Sequence, residues 1–286
     1  MTLTAEHAWL PRAICDVGCV RFGADGRGRR GAVALRTALR MAAASALFSV
    51  TWLLVIPMPG RSHLQRAYCR LMLRSLGVRM SLSGGPIRNL RGVLVVSGHV
   101  SWLDILAIGT VLPGSFVARA DLTHWPVLGP VVRMMGVIPI DRARLSRLPS
   151  VVASVADRLR AGHTVVAFPE GTTWCGLGFG RFRPAMFQAA IDAERPVQPL
   201  RLSYRHGDGR PSTVPAFVGD DTLLMSIRRV VTARRTVCHI GIESLQLPGE
   251  NRRELAARCE AAVRGDASRS ALVGAAACGA GHALAA

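Results

Sequence analysis

Lysine is absent from all 286 residues, so each of the 36 basic side chains is an arginine. Schiff-base chemistry on a lysine amine and a P-loop lysine on a nucleotide phosphate are therefore excluded. Aromatic residues are only 5% of the chain, which leaves few stacking platforms for single-stranded nucleic acid. Acidic residues are scarce too, at 18, giving a net charge of +18. The seven Cys are scattered at positions 15, 19, 69, 175, 238, 259 and 278. Cys15 and Cys19 are spaced as CxxxC with no second pair, so reduced intracellular thiols and no metal are expected.

Half the residues are hydrophobic and the mean hydropathy is +0.28, a level that implies contact with a membrane. Guanidinium is the only strong cation, and its planar fork matches phosphate oxygens. Such a charge suits nucleic acid or an anionic membrane surface with phosphate-bearing substrates. The apolar excess favours the membrane, and no nucleic-acid partner is expected.

Residues 1–40 form a basic, Arg- and Gly-rich N-terminus that is expected to be partly disordered and helical towards its end. No signal peptide is expected, because the apolar segment starts far into the chain and lacks a small-residue cleavage site. Met41 to Gly60 carries no charge. Pro57 and Pro59 limit its helical part to Ile56, about 24 Å at 1.5 Å per residue, short of the roughly 30 Å hydrocarbon core. Arginines flank it on both sides, so the positive-inside rule assigns no orientation. Ser62 to Val78 places Arg66, Arg70 and Arg74 on one helical stripe and Leu64, Ala67, Tyr68, Leu71 and Val78 on another face. That pattern suits a helix lying among headgroups, or a surface helix packed on a core. Residues 41–80 are read as a two-helix membrane anchor that dips into the bilayer.

From Gly84 onwards β-branched runs alternate with helical stretches. Strands are expected at 93–97, 115–118, 137–140, 164–168, 197–202 and 237–242, and helices near 102–112, 126–135, 148–161, 184–193, 222–234 and 251–264. The expected fold is α/β, a mostly parallel mixed sheet flanked by helices, over residues 81–265. Residues 266–286 are a low-complexity tail.

Three signals carry chemistry. In "VLVVSGHVSWLDILAI", Val93 to Ile108, a strand ends at Gly98 and Ser101 is placed as the cap of the next helix. His99 then sits in the turn at the carboxyl end of a strand, where open α/β sheets put their ligands. Asp104, at the third helical position, can reach back to an imidazole nitrogen and fix one tautomer. It can equally serve as a simple helix cap. No GxSxG elbow accompanies the pair, so a working His99 would activate a substrate hydroxyl. The second signal, "GVIPIDR", ends a strand on Asp141 and Arg142, either a ligand contact or a surface ion pair. The third, "VVAFPEGTTW", presents Glu170, Gly171 and Thr172 after an apolar strand, as an anion-binding turn or an ordinary one. Downstream, Arg181 and Arg183 precede a helix with Pro184 at its start.

In this order the signals resemble the glycerolipid acyltransferases, typified by 1-acylglycerol-3-phosphate acyltransferase. The family's Asn-His-x-x-x-x-Asp block is similar to Gly98 through Asp104, with Gly for Asn. Its Gly-x-Ile-Phe-Ile-Asp-Arg block is similar to Gly136 through Arg142, with Pro for Phe. Its Phe-Pro-Glu-Gly-Thr-Arg-Ser block is similar to Phe168 through Trp174, and lacks the Arg. Pro196 through Leu200 stands where the family has Val-Pro-Val-x-Pro-Val. "FPEGTT", "FRPAMF" and "VQPLRLSY" lean towards the branch that includes lyso-ornithine lipid acyltransferases.

The resemblance implies an O-acyltransferase of phospholipid biosynthesis, moving a fatty acyl group from acyl-CoA or acyl-carrier protein to a lysolipid hydroxyl. The acceptor is expected to be 1-acylglycerol-3-phosphate, with a lyso-ornithine lipid as the alternative. It implies His99 as general base and Asp104 as its partner. It also implies that Arg142, Glu170 and Gly171 hold the acceptor headgroup, with Thr172, Arg181 and Arg183 joining them. No cofactor or metal is expected, only the thioester co-substrate. The expected location is the cytosolic face of the cytoplasmic membrane, among its lipids. A reading of another class, a non-catalytic basic membrane binder, would have no use for a His99/Asp104 pair.

Overall fold

The computed structural model describes residues 11–20, 30–56, 59–85, 91–125, 129, 132–133, 135–141 and 144–265. Seven strands, β1 Val78–Gly84, β2 Leu94–Ser97, β3 Ser115–Arg119, β4 Ile138–Ile140, β5 Val165–Ala167, β6 Val197–His206 and β7 Thr236–Ile242, form one sheet. Its order is β1-β7-β6-β2-β5-β3-β4. Only the β6–β7 pair is antiparallel, so the sheet is mixed and mostly parallel as expected.

The helices are α1 Arg30–Ser49, α2 Arg61–Ser75, α3 Leu103–Gly109, α4 Leu148–Arg160, α5 Ala185–Asp192, α6 Leu223–Thr232 and α7 Arg252–Arg264. The expected helix near 126–135 lies almost wholly outside the described residues, as does the tail 266–286.

Alternation along β2 sets up three layers, because successive side chains of a strand point to opposite faces. Val93 and Val95 join Leu73, Leu103, Ile108 and Val230 on the face covered by α2, α3 and α6. Leu94 and Val96 join Val155, Leu159, Phe187 and Leu255 on the face covered by α4, α5 and α7. With both faces covered, β2 is fully buried and reads as a continuous apolar run. β2 lies between β5 and β6. The chain leaves β2 for β3, towards one sheet edge, and leaves β5 for β6, towards the other. A crevice therefore opens at the carboxyl ends of β2 and β5, the place where α/β sheets bind ligands.

The N-terminal helices differ from the expected two-helix anchor. Among the described residues one helix, α1, is long and apolar enough to cross a membrane by length and composition. It begins at Arg30, and a short 3-10 turn at Thr51–Val55 follows it. Arg36 and Arg40 of α1 donate to the carbonyls of Val231, Thr232, Ala233 and Arg234 at the end of α6. Cations are favoured at that negative end of the helix dipole.

The two-helix anchor is not confirmed: α2 rests on the α/β body through Cys69, Met72 and Leu73. Leu64 and Leu71, expected on its apolar face, are 39% and 50% exposed. Two arginines of the stripe have a structural use instead: Arg66 and Arg70 donate to Val111 and Thr110 carbonyls just beyond α3.

Candidate active site

Both arms of the crevice are built where an apolar strand stops. β2 ends at Ser97, and the turn that follows holds His99 with 19% of its side chain exposed. α3 begins at Leu103, two residues after Ser101, whose hydroxyl accepts the Leu103 N–H at 3.3 Å. Asp104 is thus the second residue of α3 and is fully buried. His99 Nδ1 lies 2.8 Å from Asp104 Oδ2.

The same oxygen accepts the N–H groups of Val100 and Ser101 at 2.7 and 2.9 Å. The capping and orienting readings of Asp104 therefore hold together. Its other oxygen, Oδ1, accepts the Tyr204 hydroxyl at 2.6 Å. Burial, then the Asp104 charge, push the Tyr204 phenol well above its ordinary range, so it stays a donor. A carboxylate on Nδ1–H leaves Nε2 as the basic nitrogen of the ring. The imidazole is stacked on Phe168, with ring centroids 3.9 Å apart.

The second arm follows β5. Gly171 has φ +75°, a conformation glycine adopts without a Cβ penalty, and an added Cβ would lie 2.8 Å from Pro11. Glu170 is 5% exposed. Its Oε2 accepts the backbone N–H of His99 at 2.9 Å and its Oε1 that of Gly180 at 3.2 Å. Burial pushes its carboxyl up to about 8, against the pull of those two donors and of Arg264. Trp174 N–H donates to the His99 carbonyl at 2.7 Å, so the two arms brace each other.

Beside Glu170 is a pocket of about 170 Å³ whose walls include Thr172, Arg181 and Arg183. The expected residues after β5 thus converge. Glu170 and Gly171 also build the turn itself. Arg142 lies outside the described residues, and its neighbour Asp141 has Arg144 Nε at 3.8 Å.

Several participants were not anticipated. Pro11 and Arg12 also line the pocket, which places the segment 11–20 against the site. Tyr204 reaches Asp104 across 100 positions of sequence. Cys175 gathers with Cys15 and Cys19, all three Sγ atoms within 4.8 Å of one another. Only the CxxxC spacing hinted at the last; nothing in the sequence pointed to its third member.

A buried carboxylate on the Nδ1 side of a partly exposed imidazole is the arrangement that the base half of an acyl-transfer site requires. Comparisons with known proteins agree. Residues 81–203 match the family model described as Acyltransferase. The lyso-ornithine lipid O-acyltransferase of Pseudomonas aeruginosa is 34% identical over 208 residues, 72% of this chain and 79% of that protein. The 1-acyl-sn-glycerol-3-phosphate acyltransferase of Neisseria meningitidis is 33% identical over 171 residues, 60% of this chain and 67% of that one. The crystal structure of the 1-acyl-sn-glycerophosphate acyltransferase PlsC of Thermotoga maritima shares the fold. Its TM-score is 0.62 at 18% identity, over 85% of this chain and 98% of that one. With the His99–Asp104 contact formed and a relative matched over most of its length, this chain belongs to the acyltransferase family and is an acyltransferase.

Proposed function

We propose that this enzyme transfers a fatty acyl group from acyl-CoA or acyl-carrier protein to the free hydroxyl of 1-acylglycerol-3-phosphate, giving phosphatidic acid. The observation that carries the reading is the 2.8 Å contact between His99 Nδ1 and buried Asp104. With Nδ1–H held by the carboxylate, Nε2 takes the proton of the acceptor hydroxyl as its oxygen attacks the thioester carbonyl. Asp104 stabilises the resulting imidazolium, and collapse of the tetrahedral intermediate expels the thiolate. The imidazolium then returns its proton to that sulfur, and His99 is neutral again.

The guanidinium groups of Arg12, Arg181 and Arg183 around the pocket beside Glu170 support a phosphate-bearing acceptor. Arg142 would add a further contact to the same headgroup. A second reading, a lyso-ornithine lipid acceptor, is favoured by the P. aeruginosa relative, which matches over more of its length than the N. meningitidis one.

The site would work at a membrane. Leu35, Leu39, Phe48 and Trp52 of the α1 region are exposed, and the docking of α1 on α6 keeps them beside the α/β body. With the thioester supplied from the cytosol, the catalytic domain would face that side. Membranes from cells expressing the chain, given labelled acyl-CoA and a panel of lysolipids, test the reading. Label is expected in phosphatidic acid. Label in ornithine lipid alone would transfer the assignment to the second acceptor, and label in neither would overturn both.

A further inference from the structure

The Cys15, Cys19 and Cys175 cluster stands apart from the acyl-transfer machinery and is not used by it. Their Sγ atoms lie within 4.8 Å of one another, a convergence of potential ligands found nowhere else among the described residues. Cys15 is 4% exposed and Cys175 fully buried, with Cys19 half-buried. The three come from two distant places.

Cys15 lies just before a single 3-10 turn, Val17–Cys19, and Cys19 ends it, which brings both sulfurs to one side. That turn is set by the Asp16 side chain, which accepts the Gly18 N–H at 2.9 Å, and by the Asp16 carbonyl, which accepts the Cys19 N–H at 3.1 Å. Cys175 directly follows Trp174, the residue whose N–H holds the His99 carbonyl.

Cys15 and Cys175 share a side-chain hydrogen bond, and thiols are weak donors and weak acceptors. Thiolates around a soft or borderline cation are a different matter. With Zn–S bonds of about 2.3 Å, tetrahedral geometry places sulfurs about 3.8 Å apart, within reach of the observed cluster. A disulfide would use two sulfurs and strand the third, and disulfides are disfavoured where thiols are kept reduced. A metal uses all three.

The segment that would be tied down also needs a tie. Residues 11–20 contain no regular element beyond the 3-10 turn, yet Pro11 abuts Gly171, Asp16 abuts Gly219, and Arg12 lines the pocket.

We propose that Cys15, Cys19 and Cys175 bind one zinc-class metal ion, and that this ion clasps the N-terminal segment over the pocket. The role is structural. The ion is remote in function from the proton transfer at His99, and its effect on catalysis runs through the placement of Arg12. The inference goes beyond the acyl-transfer reading, and its primary readout does not depend on activity.

The test uses the full chain, purified in detergent under reductant and without chelator, with metal measured by plasma mass spectrometry. Close to one zinc per chain is expected. Cys175→Ser and Cys19→Ser should each reduce it to background, and Cys259→Ala, in the other core layer, should keep it. Cobalt exchanged into the wild type should show the visible bands of a tetrahedral, sulfur-rich site. After chelation and unfolding, all seven thiols should alkylate. Five reactive thiols and a mass lower by two hydrogens would reveal a disulfide and overturn the proposal. Wild-type protein that holds no zinc after zinc addition and dialysis would also overturn it, as would full metal content in either serine variant.

Discussion

Asp104 and Glu170 are both buried carboxylates that reach His99, one at its ring and the other at its backbone. Their surroundings differ. Asp104 is met by four donors: the imidazole, two backbone N–H groups and a phenol. Glu170 has two backbone donors and is held up to about 8 by burial. At Glu170 burial outweighs the two backbone donors and raises the carboxyl. One carboxylate holds the imidazole ring, and the other shapes a turn and the wall of a pocket.

The largest effect should come from the ring side. His99→Ala is expected to lower kcat by about 10²–10⁴-fold, the usual contribution of a positioned base. The melting temperature should barely move, since the imidazole is partly exposed. Asp104→Asn keeps the shape but loses the charge, and a fall in kcat approaching that of His99→Ala is expected. Because the two act as a unit, the double variant should be scarcely worse than His99→Ala alone. Near-normal turnover in Asp104→Asn, with folding verified by melting, would reduce Asp104 to a cap and erase the contrast with Glu170.

The turn side should show itself in stability against pH. An unfolded chain ionises Glu170 near 4.5, whereas the folded protein holds that proton up to about 8. Between those values the folded state binds more protons, so the stabilisation is complete below about 4.5 and is lost as pH rises to about 8. Glu170→Gln cannot ionise. Relative to that variant, the wild type should lose a few kcal/mol between about pH 5 and 8, read from melting curves taken across the range. A wild type that gained stability over the same window would mean that the two backbone donors outweigh burial at Glu170.

How the two sides differ was only partly legible in the sequence. Strands β2 to β5 and helices α4 to α7 match their apolar runs to within two residues, because burial on both faces of a sheet writes itself as β-branched sequence. β1, at a sheet edge with a single buried residue, carries no such run and was missed. The His99/Asp104 spacing was readable because it is local. Tyr204 was not, since parallel strands bring residues together through crossovers that no periodicity records. The contacts of α2 with the body were not legible for a similar reason: Arg66 and Arg70 bind carbonyls beyond α3, at least 40 positions away in sequence.

The pocket gives a smaller expected effect. Arg181 is exposed and lines it with Arg183 and Arg12. Arg181→Ala should raise the KM for the lysolipid acceptor about tenfold, roughly 1.4 kcal/mol, with the acyl-donor KM and the melting temperature nearly unchanged. Arg181→Lys should recover part of the loss, because an ammonium is a point charge without the fork. Equal shifts in both substrates would detach the basic wall from the acceptor and leave Glu170 with a purely architectural neighbourhood.

The smallest change in turnover, and the finest probe of Asp104, is Tyr204→Phe. The substitution removes the only donor on Oδ1 among the described residues and leaves the three on Oδ2 in place. Because the ring contact is made through Oδ2, His99 should keep its orientation and kcat should fall less than tenfold. Stability is a separate matter. Tyr204 is 4% exposed, and its hydroxyl binds a carboxylate that water does not reach, so its loss should cost about 1.5–3 kcal/mol, as hydrogen bonds to buried charges do. Urea unfolding of the variant beside the wild type reads this directly, and the slope against denaturant should be unchanged. A large fall in kcat with little loss of stability would mean that Tyr204 tunes the charge felt by His99. A large loss of stability with nearly normal kcat would mean that a single oxygen, Oδ2, carries the catalytic half of Asp104 and Oδ1 the structural half.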